Sequence, residues 1–389
     1  MDNWNIEDIK GNQLLFTDEI LDVYEQSDFK PYEIHESKKV KSGDLINCDD
    51  CERNSDIIRK LPSIPLKFKP HLILDIDETL VSSIRNLEDI YIKDSNLCTV
   101  HTVYLSVNNV KVLIPNCIVE FITLLAQRFQ IWIYSMGDTE YVNRILNIID
   151  PKSLIPENRR YSRRTIQELK KDILKMSKDF SKGNFVILDD NINSWKDLSS
   201  LRPFIVNCKY FDYSNQVGNV DRVGHYYFDD VEVYPNLYLD AKNSYYYRVS
   251  KDELQFHFVT IRNLMYKISD IYIKRVLECG GLYNSCALGC ILNDLRSDVL
   301  NGIDLYIMSY NLSVMNCSVH LAKQLGATVH EIPSAGCVIF IDRNDAIVLK
   351  DAHENINEFK FYDLKFIFDC YFYIRRIDMS MYLYNKMEG

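Results

Sequence analysis

Glycine and proline are scarce, at 13 and 10 in 389 residues. That excludes a collagen-like or low-complexity chain and argues against long flexible linkers. No apolar run is long enough to cross a bilayer, so no membrane partner is expected. The opening MDNWNIEDIKG is polar and acidic and lacks the apolar core of a secretory signal. Positive charge is also in short supply, with 45 Lys and Arg against 55 Asp and Glu, a net charge of −10. Phosphate backbones reward the opposite balance, so direct nucleic-acid binding is not expected. A disulfide framework is not indicated either. The 11 cysteines are odd in number and dispersed, which fits reduced thiols in the cytosol or nucleus. Cys48 and Cys51, preceded by His35, are too few ligands for a closed zinc site.

Hydrophobic residues make up 47% and charged residues 26%, enough for a packed core in two or three domains. Residues 1–65 form a polar N-terminal segment ending in the extended Leu61-Pro62-Ser63-Ile64-Pro65. Residues 66–210 alternate short apolar runs with helical periodicity. His71 to Leu74, Ile131 to Tyr134, Phe185 to Leu188 and Phe204 to Val206 read as strands, and 82–112 as short strands with polar turns. Cys117 to Phe129 reads as a helix. Asp138 is a candidate N-cap for a second helix, stopped by Asp150-Pro151, and 165–180 reads as an amphipathic third. Continuous apolar runs suit strands covered on both faces, so the domain is expected to be α/β with a parallel sheet. Residues 211–278 are tyrosine-rich and are expected to end in a helix near 251–275. Residues 279–389 begin a second pattern of strands and helices.

Four features carry chemistry. Asp75-Ile76-Asp77-Glu78-Thr79-Leu80 follows the first apolar strand directly. Two carboxylates in one turn can divide the work, one attacking and the other moving a proton. Asp189-Asp190 ends another buried strand, where adjacent acids call for a hard, oxygen-ligated cation such as Mg²⁺ or for solvent. Ser135, with Gly137 two residues on, follows a third strand and offers a hydroxyl and free N–H groups to phosphate, or makes an ordinary turn. Lys171, on the expected third helix, could neutralise phosphate or face solvent.

In this order, LILDIDETLVSS, VKVLIPN, IWIYSMGDTEYVNRILNIIDP, SRR (162–164), the Lys171 segment and VILDDNINSW resemble the haloacid dehalogenase superfamily. More closely, they are similar to its DxDxT phosphatases of the RNA polymerase II C-terminal domain, the type associated with TFIIF. The resemblance implies a Rossmannoid parallel sheet with a small β insertion. It implies that Asp75 is the nucleophile and Asp77 the general acid and base. Mg²⁺ would be bound by Asp75, the Asp77 carbonyl and Asp190, with Asp189 supporting the metal or orienting Lys171. Ser135, Lys171 and Thr79 would form the phosphate-binding set, with Thr79 bracing the turn. It further implies a nuclear protein acting on the phosphorylated tail of the largest polymerase subunit, with TFIIF a possible partner. The family's usual Leu-Arg-Pro-Gly is Leu113-Ile114-Pro115-Asn116 here. Arg159, Arg160, Arg163 and Arg164 could meet a phosphorylated peptide in compensation, or form a solvated face.

Residues 279–389 resemble a BRCT domain of unknown partner. The similar segments are Gly302 to Ile307, His320 to Leu325, Gly326-Ala327, Cys337 to Ile341, and Phe366 to Cys370 with Phe366 at the usual Trp. Two other readings stay open: a small-molecule phosphatase of the same superfamily, and a catalytically impaired phosphopeptide scaffold.

Overall fold

The computed structural model describes residues 69–84, 97–107, 109–163, 169–176, 180, 183–209, 226–227, 238–239, 246, 249, 253–278, 287–333, 336–342, 345 and 360–384. The expected N-terminal segment, with His35, Cys48 and Cys51, lies outside these residues, as do Arg164 and most of 211–252.

The first module is built on five parallel strands in the order β6-β5-β1-β7-β8: β1 His71–Leu74, β5 Gln130–Tyr134, β6 Arg160–Tyr161, β7 Phe185–Asp189 and β8 Ile205–Asn207. Burial of β7 along its whole length and of three of the four residues of β1 explains their unbroken apolar sequences, because both sheet faces are covered. Two helices follow the pattern read from sequence. Helix α1 (Ile118–Arg128) buries Ile118, Phe121, Ile122 and Leu125. Helix α2 (Thr139–Ile149) starts where the Asp138 side chain accepts from Tyr141 N, a side-chain N-cap. Between β1 and α1, strands β2 (Ser82–Ile84), β3 (Cys98–Tyr104) and β4 (Asn109–Pro115) form a small antiparallel sheet, the expected insertion. A short helix, α3 (Leu198–Leu201), precedes β8.

The expected helix over 165–180 is not what the described residues show. Lys171 forms an isolated bridge with Trp195, its N–H donating to Ser194 O at 2.6 Å and its carbonyl accepting from Lys196 N at 2.8 Å. Within residues 169–176, Ile173–Lys175 form a 3₁₀ helix. The apolar spacing misled because Leu169 and Leu174 are largely exposed, while Ile173, Met176 and Phe180 pack into a core with Trp195. Main-chain pairing to the Trp195 loop wins over helical propensity, which is a weak prior.

After a two-stranded antiparallel pair, β9 (Tyr226–Tyr227) with β10 (Tyr238–Leu239), comes the long helix α4 (Leu254–Glu278). It lies on α1, with Tyr266 Oη donating to Leu124 O at 2.9 Å, Phe121 edge-on to Phe258, and Arg128 paired to Asp270 at 3.1 Å. The second module has four parallel strands in the order β12-β11-β13-β14: β11 Asp304–Met308, β12 Thr328–His330, β13 Val338–Ile341 and β14 Phe361–Asp363. Its helices are α5 (Leu288–Asp298), α6 (Leu312–Gln324) and α7 (Lys365–Tyr373). This is the smaller α/β module expected over residues 279–389. Phe366 is buried and stacks on Phe340, a core position. One apolar cluster runs through both modules.

Candidate active site

Three neighbouring parallel strands, β5, β1 and β7, end together, and their next residues converge. Leu74 is in register with Ile133 on one side and Leu188 on the other. Asp75 therefore emerges between Tyr134-Ser135 and Asp189-Asp190, at the carboxyl edge where open parallel sheets gather ligands. Asp75 N still donates to Leu188 O at 3.1 Å, which fixes its main chain to the sheet. The chain then turns back sharply. Glu78 sits at φ 63, Glu78 N donates to Val81 O, and Leu80 N and Val81 N donate to Ile76 O. A left-handed non-glycine residue costs about 1 kcal/mol and persists where its surroundings demand it.

Lys171 joins the acids. Its Nζ lies 2.7 Å from Asp75 Oδ1 and 2.6 Å from Asp189 Oδ2, and its side chain is 1% exposed. This is neither the helical site nor the solvated face read from sequence. Burial opposes its charge, but Asp189 and Asp75 more than offset that and raise its pKa above the ordinary lysine value. Asp189 is held from several sides: Trp195 Nε1 donates at 2.8 Å and Ser194 Oγ at 3.3 Å to Oδ2, and Asn191 N donates at 2.7 Å to Oδ1. Its contact with Lys171 is the one expected of an orienting residue.

Thr79 lies in this site with its hydroxyl turned to Asp190. Its Oγ1 donates to Asp190 Oδ1 at 3.0 Å and accepts from Asp190 N at 3.1 Å. It braces Asp190. Ser135 Oγ donates to Asp77 Oδ2 at 3.2 Å and accepts from Gly137 N at 2.9 Å. Tyr141, in the first turn of α2, donates to Asp77 Oδ1 at 2.5 Å. Sequence reasoning missed Tyr141. Its only signal was its place three residues after the capping Asp138. Gly137 makes room for it, since a Cβ there would fall 2.5 Å from Tyr141 Cδ1.

The arginine run divides. Arg159 donates to Gln130 Oε1 at 3.0 Å and lies over the Trp132 ring. Arg160 grips Ile155 O through Nε and Nη2, at 2.9 and 2.7 Å. Both serve the fold. Arg163 is the member next to the site, its N–H donating to Gly137 O at 3.0 Å. Ile114, at the family's usual Arg, is buried in the core.

The donor set suits a hard cation. Asp75, Asp189 and Asp190 are all buried and each brings a carboxylate oxygen within 4.8 Å of the others. One lysine faces these three acids, so negative charge is in excess. Burial, reinforced by Asp189 and Asp77 and opposed by Lys171, pushes Asp75 up to about 7. Burial and the neighbouring Asp189 and Asp75 likewise raise Asp190 well above the usual carboxylate range. Buried carboxylates in that condition call for further positive charge, and oxygen ligands select Mg²⁺-like ions.

This fold and acid cluster agree with the haloacid-dehalogenase-like phosphatase domain that the sequence resembles. Residues 70–213 match the family model of NLI interacting factor-like phosphatases. Two solved structures share the fold over most of both chains. One is the fission yeast RNA polymerase II CTD phosphatase Fcp1, as a variant bound to beryllium fluoride. It has a TM-score of 0.55 and 14% identity, covering 86% of this chain and 99% of that one. The other is Fcp1, described as an essential RNA polymerase II CTD phosphatase, with a TM-score of 0.53 and 14% identity, covering 85% and 99%.

Proposed function

We propose that this chain is a Mg²⁺-dependent protein serine phosphatase acting on the phosphorylated heptad-repeat tail of the largest RNA polymerase II subunit. The observation that carries the reading is Lys171 buried between Asp75 and Asp189, beside Asp77 and Asp190. The likeness to Fcp1 supports the choice of substrate. In the proposed reaction a carboxylate oxygen of Asp75 attacks the phosphoserine phosphorus. The bond from phosphorus to the serine oxygen breaks, and that oxygen takes a proton from the Asp77 carboxyl group. Water then attacks the aspartyl phosphate, gives its proton to Asp77, and releases phosphate and Asp75.

Tyr141 holds the Asp77 carboxyl at a fixed angle, and Ser135 adds to that hold before the phosphate binds. Lys171 meets charge that builds on the phosphoryl oxygens, as a donor fixed in place before reaction. The Ser135 hydroxyl, on turning from Asp77, would do the same. Asp75, the Asp77 carbonyl and Asp190 would hold Mg²⁺, which when bound offsets repulsion between the carboxylate and the phosphate dianion. The reading includes nuclear residence and contact with TFIIF.

The test is phosphate release from a doubly phosphorylated heptad peptide with Mg²⁺, for wild type, Asp75→Asn, and wild type with EDTA. Release that requires both Asp75 and the metal is the expected result. No release from folded wild type overturns the tail-phosphatase reading.

A further inference from the structure

Three consecutive residues at the end of β8, Asn207, Cys208 and Lys209, are buried, and their side chains reach two different places. Asn207 is a hydrogen-bond partner of Tyr371 on α7. Lys209 pairs with Asp369 on the same helix at 2.5 Å. Cys208, between them, reaches the acid cluster instead, with its Sγ 3.8 Å from Thr79 Oγ1. Successive side chains of a strand point to opposite faces, and this run keeps that alternation. The main chain is fixed as well. Asn207 is the register partner of Asp189, and Cys208 N donates to Asp189 O at 3.1 Å. The second module thus holds the two flanking residues while the third touches the catalytic site.

The contact completes a hydroxyl. A threonine hydroxyl has one proton to give and two positions that accept. Thr79 Oγ1 accepts from Asp190 N at 3.1 Å, and the Cys208 thiol donates to the other accepting position. The hydroxyl proton then has a single acceptor among the described residues, Asp190 Oδ1 at 3.0 Å. With 1% exposure, the Cys208 thiol is kept in its protonated, donating form by burial. A hydrocarbon side chain in the same space would fill the volume and leave the Thr79 hydroxyl one interaction short.

We propose that Cys208 is a positioning residue for metal binding: its thiol orients the Thr79 hydroxyl, which holds the Asp190 carboxylate in place beside Asp75 and Asp189. The inference rests on the Mg²⁺-binding part of the proposed function. It adds a determinant of metal affinity that is not itself a ligand and that lies 129 residues from Thr79 in sequence.

The test compares Cys208→Ser, which keeps a donor in a smaller side chain, with Cys208→Val, which keeps the volume and has no donor. Mg²⁺ affinity of the full chain is measured without substrate, by calorimetric titration and by the rise in unfolding temperature with added Mg²⁺. Groups that orient a metal ligand contribute about 10–100-fold to affinity, and a thiol is a weak donor one bond further out. Cys208→Val should therefore weaken Mg²⁺ binding about three- to tenfold, with Cys208→Ser within about twofold of wild type. The Mg²⁺ concentration for half-maximal hydrolysis of a small aryl phosphate should rise in parallel, with turnover at saturating Mg²⁺ changed less. A packing role alone predicts the reverse order, since valine matches the lost volume and serine leaves a cavity around a buried hydroxyl. Should valine destabilise the metal-free chain, Cys208→Ala supplies the donor-free arm without added bulk. A donor-free variant that binds Mg²⁺ as tightly as the serine variant, or more tightly, overturns the proposal and leaves the metal site standing. A wild-type chain that neither takes up Mg²⁺ nor is stabilised by it overturns the metal reading and this inference together.

Discussion

Asp77 is held by two hydroxyls from different elements, Tyr141 on α2 and Ser135 after β5. A proton-transferring carboxyl needs a fixed direction, and small displacements are costly in rate. Tyr141→Phe keeps the ring and removes the contact, so kcat should fall about tenfold or more with KM little changed. Gly137→Ala should mimic it by pushing the Tyr141 ring off its position, read out by the same steady-state kinetics. A second residue gives a pH signature. Burial, with Lys209 adding to it, pushes His257 down to about 3 from an ordinary 6.5. Below pH 6.5 the unfolded chain takes up a proton that the folded chain refuses. The stability involved is complete above pH 6.5 and is lost as pH falls toward 3, by about 1.4 kcal/mol per pH unit. Urea unfolding at pH 7, 6 and 5 should show that slope, and His257→Gln should reduce it by that amount.

At the scale of elements, ends matter more than middles. Strand ends deliver Asp75, Ser135 and Asp189, and a helix start delivers Tyr141. One helix end in the second module is equally constrained. After α6 the chain passes Leu325 into Gly326 at φ +90, and a Cβ there would lie 1.9 Å from Ser297 O. Gly326→Ala combines a backbone clash with a left-handed conformation that alone costs about 1 kcal/mol. Thermal denaturation should show a loss of about 3 kcal/mol or more, against about 1 kcal/mol for Gly302→Ala, where φ is +77 but no atom lies within 4 Å of a Cβ.

Across the whole molecule the two modules are tied by buried charge. Lys209, just beyond β8, pairs with Asp369 Oδ1 on α7 at 2.5 Å. Lys365 pairs with Asp369 at 2.9 Å and with Glu253 at 3.0 Å, and Tyr382 Oη donates to Asp369 Oδ2 at 2.7 Å. Asp369→Ala leaves two lysines facing each other in the interior, a change that costs about 3–5 kcal/mol. The loss should be visible as a lower unfolding temperature. It should also reach activity, because Cys208, next to Lys209, donates from its N–H to Asp189 O and lies 3.8 Å from Thr79 Oγ1. A variant that melts earlier with unaltered kcat at low temperature would break this link between the modules.

What the sequence by itself determined is local. Apolar runs specify buried strands, a polar residue after each run (Asp75, Ser135, Asp189, Asn207) marks the strand end, and Asp138 marks the start of α2, because each signal acts within a few residues. The order of those signals was enough to read the sheet and to collect Asp75, Asp77, Asp189 and Asp190. Tertiary structure alone decided how distant side chains pair. Lys171 lies 18 residues from Asp189, Thr79 is 111 from Asp190, and Tyr141 is 64 from Asp77. Nothing periodic links such partners. Lys171 left its helical pattern because an extended segment on the Trp195 loop puts its charge between two buried acids. Arg159 and Arg160 were drawn into the fold by Trp132, Gln130 and Ile155. The two modules meet where Arg296, on one, bonds Ile205 on the edge strand of the other.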